Sequence, residues 1–292
     1  MCTHLDTVPP FIPPTSDGSV VKGRGANDAK GAQLAAMIFA ARRIAKEEPN
    51  LADDLGLLFL VGEEVDHIGM IAANNLKLKP EYLVIGEPTQ LKFGRMQKGS
   101  LKKAILNVEG KAAHSGYPEL GESAVEKLLE ILQDIRNYKW SESKELRKTT
   151  LNIDIDIISG GQALNALAAK ASAKPFFRVT TSTADISKRL KDIVSNRVQI
   201  DFSLGKNEPV HLNESPIDVD SCVISFNTDL SYFNNKDLLK GGYLFAAGDI
   251  RNAHSDNEFI RIAVLHLAVE THINLFRRLI SESPANDDIA RD

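Results

Sequence analysis

The 292-residue chain has little of what marks several common protein classes. It holds two cysteines, Cys2 and Cys222, far apart and outside any CxxC pattern. That excludes a disulfide framework and a thiolate zinc site. No apolar run reaches the ~20 residues of a membrane-spanning helix, and no charged-then-apolar leader heads the chain. The expectation is therefore a cytoplasmic protein with no membrane partner. No basic run is interleaved with aromatics, and the formal charge is only -4, so there is no electrostatic footprint for nucleic acid. Internal repeats and low-complexity segments are missing too. What remains is an ordinary globular balance, 43% hydrophobic and 25% charged, enough for one large domain or two modest ones. With thiolates set aside, any metal here must be held by histidine and carboxylates.

One stretch stands out, Gly23-Arg24-Gly25-Ala26-Asn27-Asp28-Ala29-Lys30-Gly31. Glycines on both sides of Asp28 let the backbone turn sharply and approach a ligand closely. Leu34, Met37, Ile38, Ala41 and Ile44 then recur at helical spacing, predicting a helix that ends near residues 46–49. Taken alone, Asp28 reads as the N-cap of that helix. Its neighbours along the chain argue for more.

Residues 55–61 (LGLLFLV) form an apolar run of strand length, expected to be covered on both faces of a largely parallel sheet. Gly62-Glu63-Glu64 follows it directly. Residues 82–85 predict a second buried strand, ending at Gly86-Glu87-Pro88-Thr89. From about residue 93 the texture changes to alternating residues and short helices: strand-like 102–109, a helix around 125–135, strand-like 150–158, a Gly160-Gly161 turn, strand-like 171–179, a helix around 186–194 and strand-like 198–204. The stretch 206–216 reads as a return linker. Residues 223–226 and 243–247 then resemble core strands again, the second leading to His254 and a long amphipathic helix ending near residue 279. A polar tail from residue 281 is expected to fray. The predicted fold class is α/β, a doubly wound, largely parallel sheet in a discontinuous domain of residues 1–92 and 206–292. An α+β lid of residues 93–205 is inserted into it.

The loop-edge residues His4, Asp6, Asp28, Glu63, Glu64, Glu87 and His254 stand nearly all at the ends of apolar strands, the edge where open α/β sheets bind ligands. Each has a plain alternative: His4 a surface residue, His254 a helix cap, Glu63-Glu64 a solvated strand end, Glu87 turn chemistry. Together they would gather uncompensated charge in one cleft. Two histidines and three carboxylates suit a pair of zinc-like ions, one carboxylate bridging both.

Six motifs carry a resemblance to a known family: His4-Leu5-Asp6-Thr7-Val8-Pro9, the Gly23–Gly31 stretch, Gly62-Glu63-Glu64, Gly86-Glu87-Pro88-Thr89, Ala113-His114-Ser115-Gly116 and Ala253-His254-Ser255-Asp256. Together they resemble the co-catalytic dizinc M20 metallopeptidases, which include acetylornithine deacetylases, succinyl-diaminopimelate desuccinylases, aminoacylases and carboxypeptidases. The resemblance implies that His4 and Glu87 hold one zinc, Glu64 and His254 the other, and Asp28 bridges them, with cobalt or manganese able to substitute. Asp6 would orient His4. Glu63 would be the general base that takes a proton from the attacking water and passes it to the leaving amine. The inserted segment would be a lid and dimerisation domain, making the protein a homodimer, with His114 stabilising the oxyanion. Asn165 and Arg178 would contact substrate, Arg178 through its α-carboxylate. The implied substrate is an N-acyl amino acid or short peptide, in the branch of acetylornithine deacetylases and fungal carboxypeptidases.

Two departures stand against the pattern. Phe176 replaces the acidic residue that often lies two before the arginine. Family members also carry a helix and a strand ahead of their His-x-Asp motif, where this chain has only Met1 to Thr3. The expectation is an N-terminally truncated chain whose His4 lacks a sheet neighbour. The competing reading is a non-catalytic remnant serving as a dimerising or binding module.

Overall fold

The computed structural model describes residues 1–101, 104–140, 152–202 and 206–282. The chain divides into two compact units, one of residues 1–96, 211–224 and 228–292, the other of residues 97–210 and 225–227.

The first unit is built on a four-stranded parallel sheet in the order Gly241–Leu244, Tyr82–Ile85, Cys2–His4, Leu58–Leu60. His4 therefore does have sheet neighbours, which corrects the sequence expectation. It closes a three-residue strand paired with Leu58–Leu60, His4 opposite Leu60. Backbone bonds from Leu5 N–H to Leu60 O and from Gly86 N–H to Cys2 O, both 2.8 Å, extend the ladders. Short as it is, the strand lies between two others, so non-local hydrogen bonds fix it.

The run at 55–61 departs from expectation in the other direction. Its strand, Leu58–Leu60, is one of the two outer strands of this sheet, with Val61 exposed. An apolar run reports strand length, not sheet position.

The predicted helix after Asp28 is a wide π-type segment, Lys30–Ala35, continuing into Ala36–Glu47. Asp28 is not its cap; the residue in that position is Ala29. Met37, Ala40 and Ile44 form the buried stripe of the helix, and Ala40 and Ile44 meet Ile273 and Phe276 of the C-terminal helix Ile262–Glu282. Side chains the size of Met37, Ile44 and Ile273 contribute about 1.5–3 kcal/mol each when fully buried. A second sheet pairs Phe259–Arg261 with Val20–Lys22, and Val20–Lys22 with Thr15–Ser16 across the Asp17-Gly18 turn. It brings the chain just after His254 beside the Gly23 loop. Ser221–Ile224 does not rejoin the parallel sheet as expected but lies beside Phe93–Gln97 in a separate sheet. The stretch read as a linker includes two short strands, Lys206–Asn207 and Val210–His211.

The second unit is an antiparallel sheet with two helices. Its long strand Lys170–Val179 alternates buried and half-buried residues and pairs with Ile105–Glu109, Gly99–Leu101 and Asn152–Gly160. Helices Ala124–Asn137 and Thr183–Val194 bury Leu128, Ile131, Ile135, Ile186 and Leu190 in one core with Ala173 and Phe177. Ser123 and Ser182 cap them, accepting from Glu126 N–H and Ala184 N–H. The frayed tail expected from residue 281 lies, from residue 283 on, outside the described residues, as do the ends of the strands expected at 150–158 and 198–204. Among the described residues no helix is long and apolar enough to cross a membrane.

Candidate metal centre

All four parallel strands of the first unit point their C-terminal ends to one edge, and each hands a polar residue to it. His4 ends its own strand, Glu63 and Glu64 follow Leu58–Leu60, Glu87 follows Tyr82–Ile85, and His254 lies in the loop after Gly241–Leu244. His254 takes a left-handed backbone, φ 64°, a costly conformation for a side chain with a Cβ.

Asp28 stands in the middle. Its Oδ1 is 3.1 Å from Nε2 of His4, and its Oδ2 is 3.4 Å from Nε2 of His254. Each imidazole has a second carboxylate: Glu87 Oε1 at 3.8 Å from His4, and Glu64 Oε2 at 2.9 Å from His254. Donor atoms of His4, Asp28 and Glu64 lie within 4.8 Å of one another, as do those of His4, Glu63 and Glu87. By distance alone, then, Glu63 is a further candidate ligand.

The loop carrying Asp28 is held by a group that sequence reasoning missed. The buried carboxylate of Glu258 accepts from the N–H groups of Gly25 at 2.9 Å, Asn27 at 3.0 Å and Asp28 at 3.1 Å, and from Arg24 Nη1 at 2.9 Å. Gly31 packs against Ala26, where a Cβ would meet the Ala26 oxygen at 2.2 Å. Here glycine serves close approach. Asp6 does for the other side what Glu258 does for this one. Its oxygens accept from Glu63 N–H at 3.3 Å and Glu64 N–H at 3.2 Å, and Nδ1 of His4 faces its backbone oxygen at 3.1 Å. With Nδ1 committed to Asp6, Nε2 is the His4 atom directed at Asp28 and Glu87, and the one that would offer its lone pair to a bound cation.

Electrostatics make this a site for cations. Burial alone would pull His4 down, yet Asp28, Asp6 and Glu87 push it up to about 12. Asp28 and Glu64 raise His254 to about 10. Glu63 is pushed up to about 8, first by burial and then, against the pull of His4, by the charges of Asp229, Asp28 and Glu64. Burial, then Glu63, drives Glu87 well above the usual carboxylate range. Asp28 resists its own burial because hydrogen bonds from His254 and His4 favour its charged form. So many carboxylates around two imidazoles leave negative charge to be neutralised, and imidazole plus carboxylate is a donor set that suits zinc.

The remaining predicted residues lie in the second unit. His114 and Asn165 come together there: Ser115 N–H donates to the Asn165 oxygen at 2.9 Å, and His114 bridges to Ala166. The guanidinium carbon of Arg178 lies over the ring of Phe176, the residue that departs from the family pattern, 4.8 Å from the centroid.

Sequence reasoning also missed His67 and Asp229, both buried, with Nδ1 of His67 3.0 Å from Asp229 Oδ1. Only the position of His67, three residues past Glu64, pointed to it.

Residues 96–200 match the peptidase dimerisation domain. A peptidase M20 domain-containing protein of Schizosaccharomyces pombe is 37% identical over 269 residues, covering 91% of this chain and 65% of that protein. A protein of Aspergillus flavus named "Probable carboxypeptidase" is 36% identical over 320 residues, covering 96% of this chain and 73% of its own length. The chain belongs to the M20 metallopeptidase family. This M20 chain spans about two thirds of the length of the fission-yeast relative. Among solved structures, a tripeptidase from Staphylococcus aureus superposes with a TM-score of 0.73 at 18% identity, covering 97% of this chain and 80% of that one. The M20 family metallo-carboxypeptidase from Sulfolobus solfataricus gives a TM-score of 0.56 at 14% identity, covering 92% and 90%. At such identities these likenesses speak for a shared M20 fold.

Proposed function

We propose that this M20 chain is a metal-dependent peptidase that hydrolyses an amide bond next to a free α-carboxylate, in a short peptide or an N-acyl amino acid. The observation that carries the reading is the Asp28 carboxylate, one oxygen on each of two imidazoles, each imidazole with a further carboxylate of its own. His4, Glu87 and Asp28 would hold one divalent ion, and Glu64, His254 and Asp28 a second. Such a pair supplies Lewis-acid polarisation of the scissile carbonyl and a water of lowered pKa. Zinc is the ion we assign, by donor chemistry.

The chain's own groups do the rest. Glu63 takes the proton of the attacking water and returns it to the amine nitrogen as the C–N bond breaks, so no covalent intermediate is needed. Asp6 keeps Nδ1 of His4 protonated and fixes the Glu63-Glu64 turn. The same reading gives His114 the oxyanion, and Asn165 and Arg178 the substrate, with Arg178 on its α-carboxylate. The matched dimerisation domain supports a homodimer. Similarity to the Aspergillus protein favours a carboxypeptidase over an acetylornithine deacetylase.

A substrate panel tests this. The zinc-loaded chain should cleave dipeptides and N-acetyl amino acids that carry a free carboxylate and spare their C-terminal amides, and Glu63→Gln should lower the rate by ~10³-fold or more. Equal cleavage of amidated substrates, or no cleavage by zinc-loaded protein, would overturn it.

A further inference from the structure

The base assigned above does not stand alone. Four residues past Glu63, His67 takes a left-handed backbone, φ 59°, and its N–H donates to the Gly62 oxygen at 2.6 Å. A left-handed residue at the end of a tight turn directs its side chain differently from its helical neighbours. Nδ1 of His67 lies 3.0 Å from Asp229 Oδ1 and 3.8 Å from Glu63 Oε1. The ring stacks on Tyr232, centroids 4.1 Å apart and planes 19° from parallel. His67 and Asp229 are 4% and 2% exposed, so the pair is shielded from water. Asp229 opens the turn Asp229–Tyr232, which Thr228 caps by accepting from Leu230 N–H.

Geometry fixes the tautomer. A bare nitrogen lone pair cannot face a carboxylate at hydrogen-bond distance without repulsion, so Nδ1 carries the proton and donates it to Asp229. Asp229 orients the ring edge, and Tyr232 holds the ring plane. The same Nδ1–H edge lies 3.8 Å from Glu63 Oε1, too far for a second hydrogen bond but close enough for its positive edge to attract that oxygen, and it stands between two carboxylates that would otherwise repel each other.

We propose that His67, oriented by Asp229 and Tyr232, is a positioning residue for Glu63. Its Nδ1–H edge attracts Oε1 and leaves Oε2 to take the proton of the attacking water. The water O–H bond breaks, an Oε2–H bond forms, and that proton later passes to the amine nitrogen. His67 keeps its proton throughout. This rests on the reading of Glu63 as the base.

The test compares two substitutions that tolerate the left-handed backbone. His67→Gly deletes the ring, whereas His67→Asn places an amide N–H where Nδ1 stood. The expected result for His67→Gly is a fall in kcat of about 10-fold or more, KM within about 2-fold of the native chain and unchanged zinc content. His67→Asn should recover most of that loss. If His67→Gly fails to fold, His67→Gln takes its place, because its amide matches Nε2 rather than Nδ1, and the same loss is expected. Native kcat in the glycine or glutamine variant, equal damage in the asparagine variant, a change in KM alone, or loss of zinc would each overturn the proposal. If the native chain cleaves no substrate in the panel, the reading of Glu63 as base fails separately. Crystal structures of the variants then decide the positioning role: a displaced Glu63 carboxylate in His67→Gly, restored in His67→Asn, supports it, and an unmoved one overturns it.

Discussion

Two histidines in this chain are equally buried and behave in opposite ways. His4, at the end of a central strand, and His272, in the middle of the C-terminal helix, are both 0% exposed. Burial penalises a charged imidazole at both places. At His272 nothing opposes it enough: Nδ1 donates to the Ala268 oxygen at 2.7 Å, and the group is pulled down to about 4. At His4 three carboxylates reverse the sign. The lesson is that the strand-edge cluster has a strong appetite for positive charge, which a buried histidine elsewhere in the same unit does not share. That appetite is what a metal centre requires.

The sharpest way to break the comparison is to delete each histidine. His4→Ala should remove bound zinc and cut activity by ~10³-fold or more, while His272→Leu should leave zinc content and kcat as they are. Equal zinc loss in both would mean that His4 matters only for folding.

Next in size is the buried ion pair behind Asp28. Arg24→Met leaves Glu258 charged and buried without its cation, at an expected cost of about 3–5 kcal/mol in urea denaturation. A cost below about 1 kcal/mol would show that Glu258 and the loop amides hold Asp28 without Arg24.

His272 supplies a pH test. Its folded-state pKa is depressed, so the unfolded chain binds the proton first as pH falls. Stability should therefore drop as pH falls from about 6.5 to about 4, a loss of about 3 kcal/mol. It should be fully present above that window. His272→Leu should flatten this limb, and identical slopes in the two proteins would contradict it.

The smallest effect concerns the partner of His4. Asp6→Asn should weaken zinc affinity by about 10- to 100-fold, read by competition with a chelator. No change would mean that the His4 ring is set by its strand alone.

Much of this was legible in the residues, for identifiable reasons. Asp28 could be picked out by its flanking glycines, and Glu64, Glu87 and His254 because apolar runs mark strands and each of these residues follows one. The alternating texture after residue 93 marked an inserted α+β segment, whose sheet is antiparallel in the structure. The pairing of His4 was not legible. A strand of three residues has no pattern of its own, and its partners lie more than fifty residues away, at Leu58–Leu60 and Ile85. With His4 on a strand, the case for a non-catalytic remnant loses its main support. Nor could His67 and Asp229 be joined from sequence, since each sits in a turn and the contact depends on a left-handed backbone. Nothing in the sequence around Glu258 sets it apart from the other acids of its loop; the fold places it against the amides of Gly25, Asn27 and Asp28. The run at 55–61 misled because hydrophobicity does not distinguish an outer strand from a central one.

The central claim is that Asp28 bridges two ions. Anomalous diffraction at the zinc edge from zinc-soaked crystals tests it most directly. The account predicts two peaks per chain, each about 2.0–2.2 Å from an Asp28 oxygen, one beside His4 and Glu87 and the other beside Glu64 and His254. A single peak, or two peaks of which only one touches Asp28, would contradict it.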